Sequence, residues 1–520
     1  MPTPFIDRPP CARTFAATSP DRMYSGYQMP AGYVRQPFLQ DDLFPIVRHE
    51  LQGSIFQSDE LLEKVFYLNR MAVSPERQEK LNSIVQSLSQ TPALSLYLNP
   101  VRSMISKLSE CRAEKESYEP LVRLLNHIMD SSPLPFIPAT NALNFNFFKW
   151  DRETSDASDG IQYLKSISAG VARADLENIM MIEVKDNWPQ MLLQTASYGR
   201  TLLRYRWCVF GIAYNYKEMA LMFVLFTRQG MFVSAKFSLK NEKDLPTICS
   251  TLFALRLCSP YQLGLHPLIY SSGAEIRSIL LPDMSPTSTM EWRQVEQVVS
   301  RRDSVRGRGT TVFKISPLST ALDDEANINP VRSTPSGKRN AETGIDDAPH
   351  AKRIKPDSWK PCSLSAAEWW SAFASPPSSD LAKNLIDSVK DLQVPSDRLV
   401  VKIGYALSTD VDTQVNMWTA ARGMHGVLEV CGTIKLKHGF DLFRDLKDIK
   451  ATPDWVYQSN DPPLKVEDRT EVITIMKNDG TALNGLKDVR ILVKAVIDAT
   501  IGWFLYCFHL ISFSADVKIL

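Results

Sequence analysis

The sequence lacks several features that would assign a protein to a class at once. No two of its eight cysteines are spaced closely enough to form a zinc or thiol-redox pair. Lysine plus arginine (59) nearly cancels aspartate plus glutamate (58), so there is no strong nucleic-acid signal in the overall charge. These absences favour a reduced, intracellular protein whose charge chemistry is local.

Long apolar runs are also scarce. The first residues, MPTPFIDRPPCARTF, carry prolines and charges where a signal peptide needs an apolar core. The most apolar stretch, residues 499–513, is interrupted by His509 and is shorter than the roughly 20 residues that cross a bilayer. We therefore expect a nuclear or cytoplasmic protein with no membrane contact.

The length of 520 residues exceeds what one hydrophobic core usually organises, which predicts an α+β multidomain protein. Residues 1–45 contain proline and glycine without periodicity and are predicted to form a disordered arm. Apolar residues then recur every three or four positions, as in YEPLVRLLNHIMDS, which predicts a helical unit over residues 46–135.

The period changes after residue 140. Runs such as IMMIEVKD and WCVFGIAYN are rich in β-branched and aromatic residues, and they predict a mixed α/β domain over residues 140–275. Residues 317–394 are dominated by serine, proline and charged residues, which predicts a disordered basic insertion. Further strands and helices over residues 290–316 and 395–520 predict a last domain that the insertion interrupts.

Two glycines and one lysine in this last domain indicate a nucleotide site. The sequence VRGRGTTVFKI places Gly307 and Gly309 between strand-like flanks, where the missing Cβ lets backbone amides approach phosphate oxygens. A plain hairpin turn would use the same residues. In RLVVKIG, Lys402 stands where a kinase strand lysine holds the nucleotide phosphates.

The order of these motifs resembles the fungal-type protein kinase family. A GRGT loop, a lysine strand, the helical TQVNMWTAARGMHGV, the EDRTEVITIMK strand and a helix containing IDATIGW follow one another over residues from about 140 to 513. The resemblance implies a kinase-like N-lobe with the start of a C-lobe, serine/threonine phosphotransfer, and ATP and Mg²⁺ as cofactors. It implies that Gly307, Gly309 and Lys402 bind ATP.

The sequence also departs from that family. The helix that should pair its glutamate with Lys402 offers only Gln414 and Asn416. No catalytic loop or metal-binding aspartate follows Trp503, and the similar string FRDLK at 443–447 lies too early in the order. We expect the chain as given to be inactive, as a truncated pseudokinase, unless an incorrect gene model has replaced its catalytic lobe.

A second motif lies upstream. Glu183 and Lys185 in IEVK, followed by Gln194 and Tyr198, resemble the core of the PD-(D/E)xK nuclease superfamily, so the α/β domain is predicted to be PD-(D/E)xK-like. On a strand, the carboxylate and the ammonium share one face and could hold Mg²⁺ and orient water. The required aspartate would be Asp159, or Asp175 as the alternative. An ordinary surface pair, or an inactive fold used as an interaction platform, is the other interpretation.

Basic residues in the insertion resemble a bipartite nuclear import signal. Their two clusters are separated by 12 residues and comprise Lys338, Arg339, Lys352, Arg353 and Lys355. A nuclear import carrier would then be a partner; a solvated basic linker is the alternative. The sequence thus leaves three functions open: a kinase-family protein, a non-catalytic nuclear module with an unknown protein partner, and a metal-dependent nuclease.

Overall fold

A computed structural model provides the fold. It describes residues 40–51, 53–62, 92–130, 146–150, 166–170, 180–203, 206–258, 261, 263–272, 275–282, 290–301, 307, 309–317, 398–420, 429–436 and 467–477, with the helical positions 490, 493–494, 497 and 500. Some of the predicted functional residues lie outside the described residues. They are Asp159, Asp175, the FRDLK sequence at 443–447 and the five basic residues of the predicted nuclear signal.

The first described elements pack onto a sheet. They are α1 (Gln40–Leu51), β1 (Ile55–Gln57), α2 (Pro92–Ser109) and α3 (Glu114–Asp130). The carboxylate of Glu116 accepts hydrogen bonds from the backbone amides of Arg112 (2.9 Å) and Ala113 (3.2 Å), which satisfies donors at the start of α3. The apolar face of α3, which includes Leu121 and Leu125, is buried. These helices therefore share a core with the sheet, although the sequence predicted a separate helical unit.

The first sheet has eight strands in the order β1-β7-β6-β5-β4-β3-β2, with β8 paired to β6. The strands after β1 are β2 (Asn146–Trp150), β3 (Ser166–Gly170), β4 (Met180–Lys185), β5 (Cys208–Asn215), β6 (Ala220–Thr227), β7 (Gly230–Val233) and β8 (Phe237–Ser238). Helix α4 (Trp188–Leu202) connects β4 to the parallel strand β5, and α5 (Leu245–Leu257) follows β8. All eight residues of β5 and of β6 are buried, as expected for central strands.

The second sheet has seven strands in the order β14-β15-β13-β12-β11-β10-β9, and all its described pairs are antiparallel. Its elements are β9 (Ile269–Ser272), β10 (Glu275–Pro282), β11 (Met290–Arg301), β12 (Thr311–Pro317), β13 (Leu399–Leu407), α6 (Val411–Ala420), β14 (Val430–Leu436) and β15 (Arg469–Lys477). One face of this sheet is buried. Its residues Phe313, Ile403 and Ile473 belong to the same apolar cluster as Phe226 of the first sheet, so the two sheets share a core.

The predicted mixture of helices and strands is confirmed, because the described residues form two sheets and six helices. The predicted strand and helix segments around the IEVK, GRGT and RLVVKIG motifs are all present. Helix α2 and strands β2, β3, β9 and β10 were not predicted individually. Among the described residues, no helix combines the length and hydropathy needed to cross a bilayer.

Candidate functional site

The four residues of the nuclease-like motif lie close together, Glu183 and Lys185 on β4 and Gln194 and Tyr198 on α4. Glu183 is 2% exposed on β4, and Lys185 follows two residues later on the same face. The Lys185 Nζ lies 3.7 Å from Glu183 Oε1. Tyr198 on α4 hydrogen-bonds to the Glu183 carboxyl group and accepts a hydrogen bond from Gln194 at 3.3 Å. The structure therefore brings Glu183, Lys185, Gln194 and Tyr198 together.

Glu114 completes this cluster, and sequence analysis missed it. It lies in the first turn of α3, where its Oε2 is 2.8 Å from the Lys185 Nζ. The hydroxyl of Tyr118, one helical turn later, donates to the other oxygen of Glu114. The Lys185 ammonium thus lies between two carboxyl groups that are 69 residues apart in sequence, at positions 114 and 183.

Burial changes the protonation of Glu183. Desolvation raises the pKa of its carboxyl group from 4.5 to about 8, and Glu114 adds to this effect. Lys185 and the Tyr198 hydroxyl act in the opposite direction. One carboxyl oxygen, Oε2, is buried without a hydrogen-bond partner. At neutral pH a pKa of about 8 keeps most of this carboxyl group protonated beside the Lys185 ammonium.

The residues predicted for the nucleotide site lie on neighbouring strands of the second sheet. Gly307 and Gly309 precede β12 directly, and Lys402 lies on β13 opposite Val312 of β12. Helix α6 follows β13, as the order of motifs predicts. The glycines and the lysine therefore belong to one sheet.

Strand alternation separates these residues by face. Along β13, Val401, Ile403 and Tyr405 are buried in the shared core, whereas Lys402 is half-buried on the opposite face. The described contacts of Gly309 lie on the core side, where it meets Arg228 of the first sheet. The structure thus brings the three residues to adjacent strands but places the glycine contacts away from Lys402.

Arg228 lies in the two-residue turn between β6 and β7 and contacts both glycines. Its carbonyl oxygen accepts the amide hydrogen of Gly307 at 3.0 Å. Gly309 has a φ of +46°, and a Cβ at this position would overlap the Arg228 guanidinium. Only glycine therefore allows the loop to adopt this conformation and to pack this closely.

Helix α6 covers one end of the Lys402 face. Val411 packs against Ala406 of β13 and Val472 of β15, and Val415 contacts the same cluster. Gln414 lies three residues after Val411, hence on the sheet-facing side, and is half-buried, while Asn416 is exposed. Of the two predicted partners of Lys402, Gln414 is therefore the better placed.

A second lysine on this face was not predicted. Lys314 of β12 pairs with Val400, two positions from the Val312–Lys402 pair, and both lysines are half-buried. Alternation in the sequence TVFKISP places Lys314 on the same face as Val312. That alternation was visible in the sequence, but it did not show that β12 would pair with β13 and place Lys314 diagonally across from Lys402.

A polar network in the shared core was also missed. His266 Nε2 and Glu471 Oε2 are 2.8 Å apart, and each side chain is 1% exposed. Tyr405 hydrogen-bonds to Glu471, and its ring lies 5.5 Å from the Arg228 guanidinium carbon. Burial and the Glu471 charge raise the pKa of Tyr405 well above its usual range, against the effect of Arg228. These residues line a small pocket together with Gly309 and Thr311.

Comparison with known proteins gives one match. A family model described as fungal protein kinase matches residues 173–324, which contain the IEVK strand and the GRGT loop but not Lys402. No curated protein matches the chain, and no solved structure matches it. The resemblance predicted from the sequence is confirmed over residues 173–324, which are similar to the fungal-type protein kinase family.

Proposed function

We propose that this protein has a kinase-like function in which the second sheet binds ATP. The observation that carries the proposal is the placement of Gly307 and Gly309 immediately before β12, beside the half-buried Lys402 of β13. In protein kinases a glycine-rich loop covers the phosphates and a strand lysine contacts them. The helix α6 packs against the Lys402 face, as the helix after the lysine strand does in that arrangement.

The described residues fit the nucleotide better than the metal. Lys402 and the neighbouring Lys314 provide positive charge on one face of the sheet, and Gly307 and Gly309 precede the strand that carries Lys314. Within the described parts of the chain, no group of three acidic, histidine or cysteine residues could hold a metal ion. No described residue is therefore assigned to Mg²⁺, and the second sheet is proposed to bind the nucleotide alone. Gln414 is the neutral residue that stands in place of the usual glutamate.

Calorimetric titration with ATP, with and without Mg²⁺, tests this proposal. We expect wild-type protein to bind and Lys402→Met to lose at least about tenfold in affinity, because a charge-assisted contact to phosphate is removed. Lys477→Met is the matched control, since Lys477 lies on β15 of the same sheet, where its ammonium contacts Glu429 at 2.8 Å. Equal affinities of wild type and Lys402→Met would contradict the proposed role of Lys402.

A metal-dependent nuclease is a second candidate, and one observation favours it. Glu183, Lys185, Gln194 and Tyr198, which resemble the PD-(D/E)xK motif in sequence, lie close together. A metal ion at Glu183 would have to compete with the Lys185 ammonium, which contacts both carboxyl groups. Asp159, the other predicted metal ligand, lies outside the described residues.

DNA cleavage assays with Mn²⁺ separate the two candidates. Cleavage by wild-type protein that is lost in Glu183→Ala and in Lys185→Ala, but retained in Glu242→Ala, would favour the nuclease. Glu242 is a suitable control because its side chain is 69% exposed and pairs with Arg102 at the surface. If neither ATP binding nor cleavage is found, the non-catalytic interaction module becomes the remaining candidate.

A further inference from the structure

The turn between β6 and β7 of the first sheet contacts the glycine loop. Arg228 lies between Thr227, the last residue of β6, and Gly230, the first of β7. Its carbonyl oxygen accepts from the Gly307 amide at 3.0 Å, and its guanidinium packs against Gly309. Both glycines of the predicted nucleotide loop are therefore bound to an element of the α/β domain.

Arg228 is itself held firmly. It is 4% exposed, and its Nη2 donates a hydrogen bond to the carbonyl oxygen of Leu203, just after α4. On the other side, the Tyr405 ring lies 5.5 Å from the guanidinium carbon, a distance at which a cation is attracted to an aromatic face. The side chain therefore connects the first sheet to β13, the strand that carries Lys402.

This contact competes with phosphate for the same backbone donor. The N–H of Gly307 that donates to Arg228 cannot also donate to a phosphate oxygen. Gly309 contacts Arg228 on the core side of the sheet, whereas Lys402 lies on the opposite face. A nucleotide that contacts the loop amides and Lys402 together requires the glycines to leave Arg228.

We propose that Arg228 makes an autoinhibitory contact, which holds Gly307 and Gly309 away from the nucleotide until binding releases them. This inference rests on the proposed ATP-binding function. The α/β domain then lowers the affinity of the second sheet for ATP through this turn. Loss of the guanidinium removes the surface against which Gly309 packs, so ATP affinity rises.

Calorimetric titration of Arg228→Ala with ATP tests the inference on the full chain. We expect Arg228→Ala to bind ATP about fivefold more tightly than wild type, because Gly309 no longer packs against the guanidinium, while the backbone carbonyl that accepts from Gly307 is kept. The matched control is Arg200→Ala, which removes another largely buried arginine of the same domain whose ion pair is with Glu50 at 3.3 Å. Its ATP affinity should equal that of wild type.

Hydrogen–deuterium exchange on wild-type protein gives a second test that needs no variant to fold. Saturating ATP should change the exchange rate of the Gly307 amide, because this N–H leaves the Arg228 carbonyl oxygen that accepts it in the free protein. Unchanged exchange in the presence of bound ATP, or equal or weaker ATP binding by Arg228→Ala, overturns the inference while the proposed function stands. Absence of ATP binding by wild type and by all variants overturns both.

Discussion

His266 donates a hydrogen bond to Glu471 in the shared core, across 205 residues of sequence. The backbone amide of Leu268 donates to His266 Nδ1 at 3.1 Å, so the ring hydrogen is on Nε2, 2.8 Å from the carboxylate. Glu471 also accepts the hydroxyl of Tyr405, its neighbour across β13 and β15. A carboxylate that is 1% exposed thus receives donors from two separate parts of the chain.

Removal of this histidine should destabilise the fold. His266→Ala leaves the Glu471 carboxylate buried without one of its donors, and we expect the free energy of unfolding to fall by about 3 kcal/mol. Urea denaturation followed by circular dichroism measures the change. Arg102→Ala is the control, because it breaks an exposed ion pair with Glu242 and should cost less than about 1 kcal/mol. Equal losses of unfolding free energy in His266→Ala and Arg102→Ala would contradict a stabilising role of the buried His266–Glu471 pair.

Glu183→Gln should change how stability depends on pH. The carboxyl pKa is about 8 in the folded protein against 4.5 as the ordinary value. Between these pH values the unfolded chain loses the proton while the folded chain keeps it, so the free energy of unfolding of wild type falls as pH rises. Glutamine does not ionise, so the Glu183→Gln variant should not lose stability in this way as pH rises.

The variant should therefore match wild type below about pH 4.5 and exceed it by about 2–4 kcal/mol at pH 8 and above. Thermal unfolding in a series of buffers measures the difference. The same substitution at the exposed Glu242 should give no such trend. A difference between wild type and Glu183→Gln that does not grow with pH would show that Glu183 is ionised in the folded protein.

The two charged neighbours of Glu183 should move its pKa in opposite directions. Glu114→Gln removes a negative charge and should lower the pKa of Glu183, while Lys185→Met removes a positive charge and should raise it. Carboxyl ¹³C resonances of glutamate-labelled protein, followed through a pH titration, measure both shifts. Shifts of the same sign in the two variants would contradict the arrangement of Lys185 between the two carboxyl groups.

Gly309→Ala should be destabilising in a way that depends on Arg228. The alanine Cβ would overlap the Arg228 guanidinium, and the alanine backbone would have to adopt a φ of +46°. We therefore expect the free energy of unfolding to fall by about 2–3 kcal/mol. In the Arg228→Ala background only the backbone cost of about 1 kcal/mol should remain. Denaturant unfolding of the two single variants and the double variant measures this coupling.

Gly211→Ala provides the steric control for that cycle. Its Cβ would meet Met181 Cγ at 3.3 Å, a tight contact with a side chain that can shift. The cost at Gly211 should be the same with and without Arg228. An equal cost of Gly309→Ala in both backgrounds would contradict the described contact between the loop and the turn.

Local features of the candidate sites could be predicted because they depend on residues that are close in sequence. Glu183 and Lys185 share a face since they are two residues apart on a strand. Gln194 and Tyr198 contact each other since they are four apart on a helix. The glycines before β12 lie within residues 173–324, which the family model matches, whereas Lys402 of β13 lies outside that segment and was predicted from motif order alone.

The partners of these residues required the tertiary structure. Glu114 reaches Lys185 because α3 packs against the sheet beside β4, which no local period indicates. The spacing of residues in sequence determined which side chains share a strand face or a helical turn. Only the packing of the two sheets decided that Arg228 would contact Gly307 and Gly309, and that His266 would meet Glu471, since long-range contacts depend on how whole apolar faces fit together.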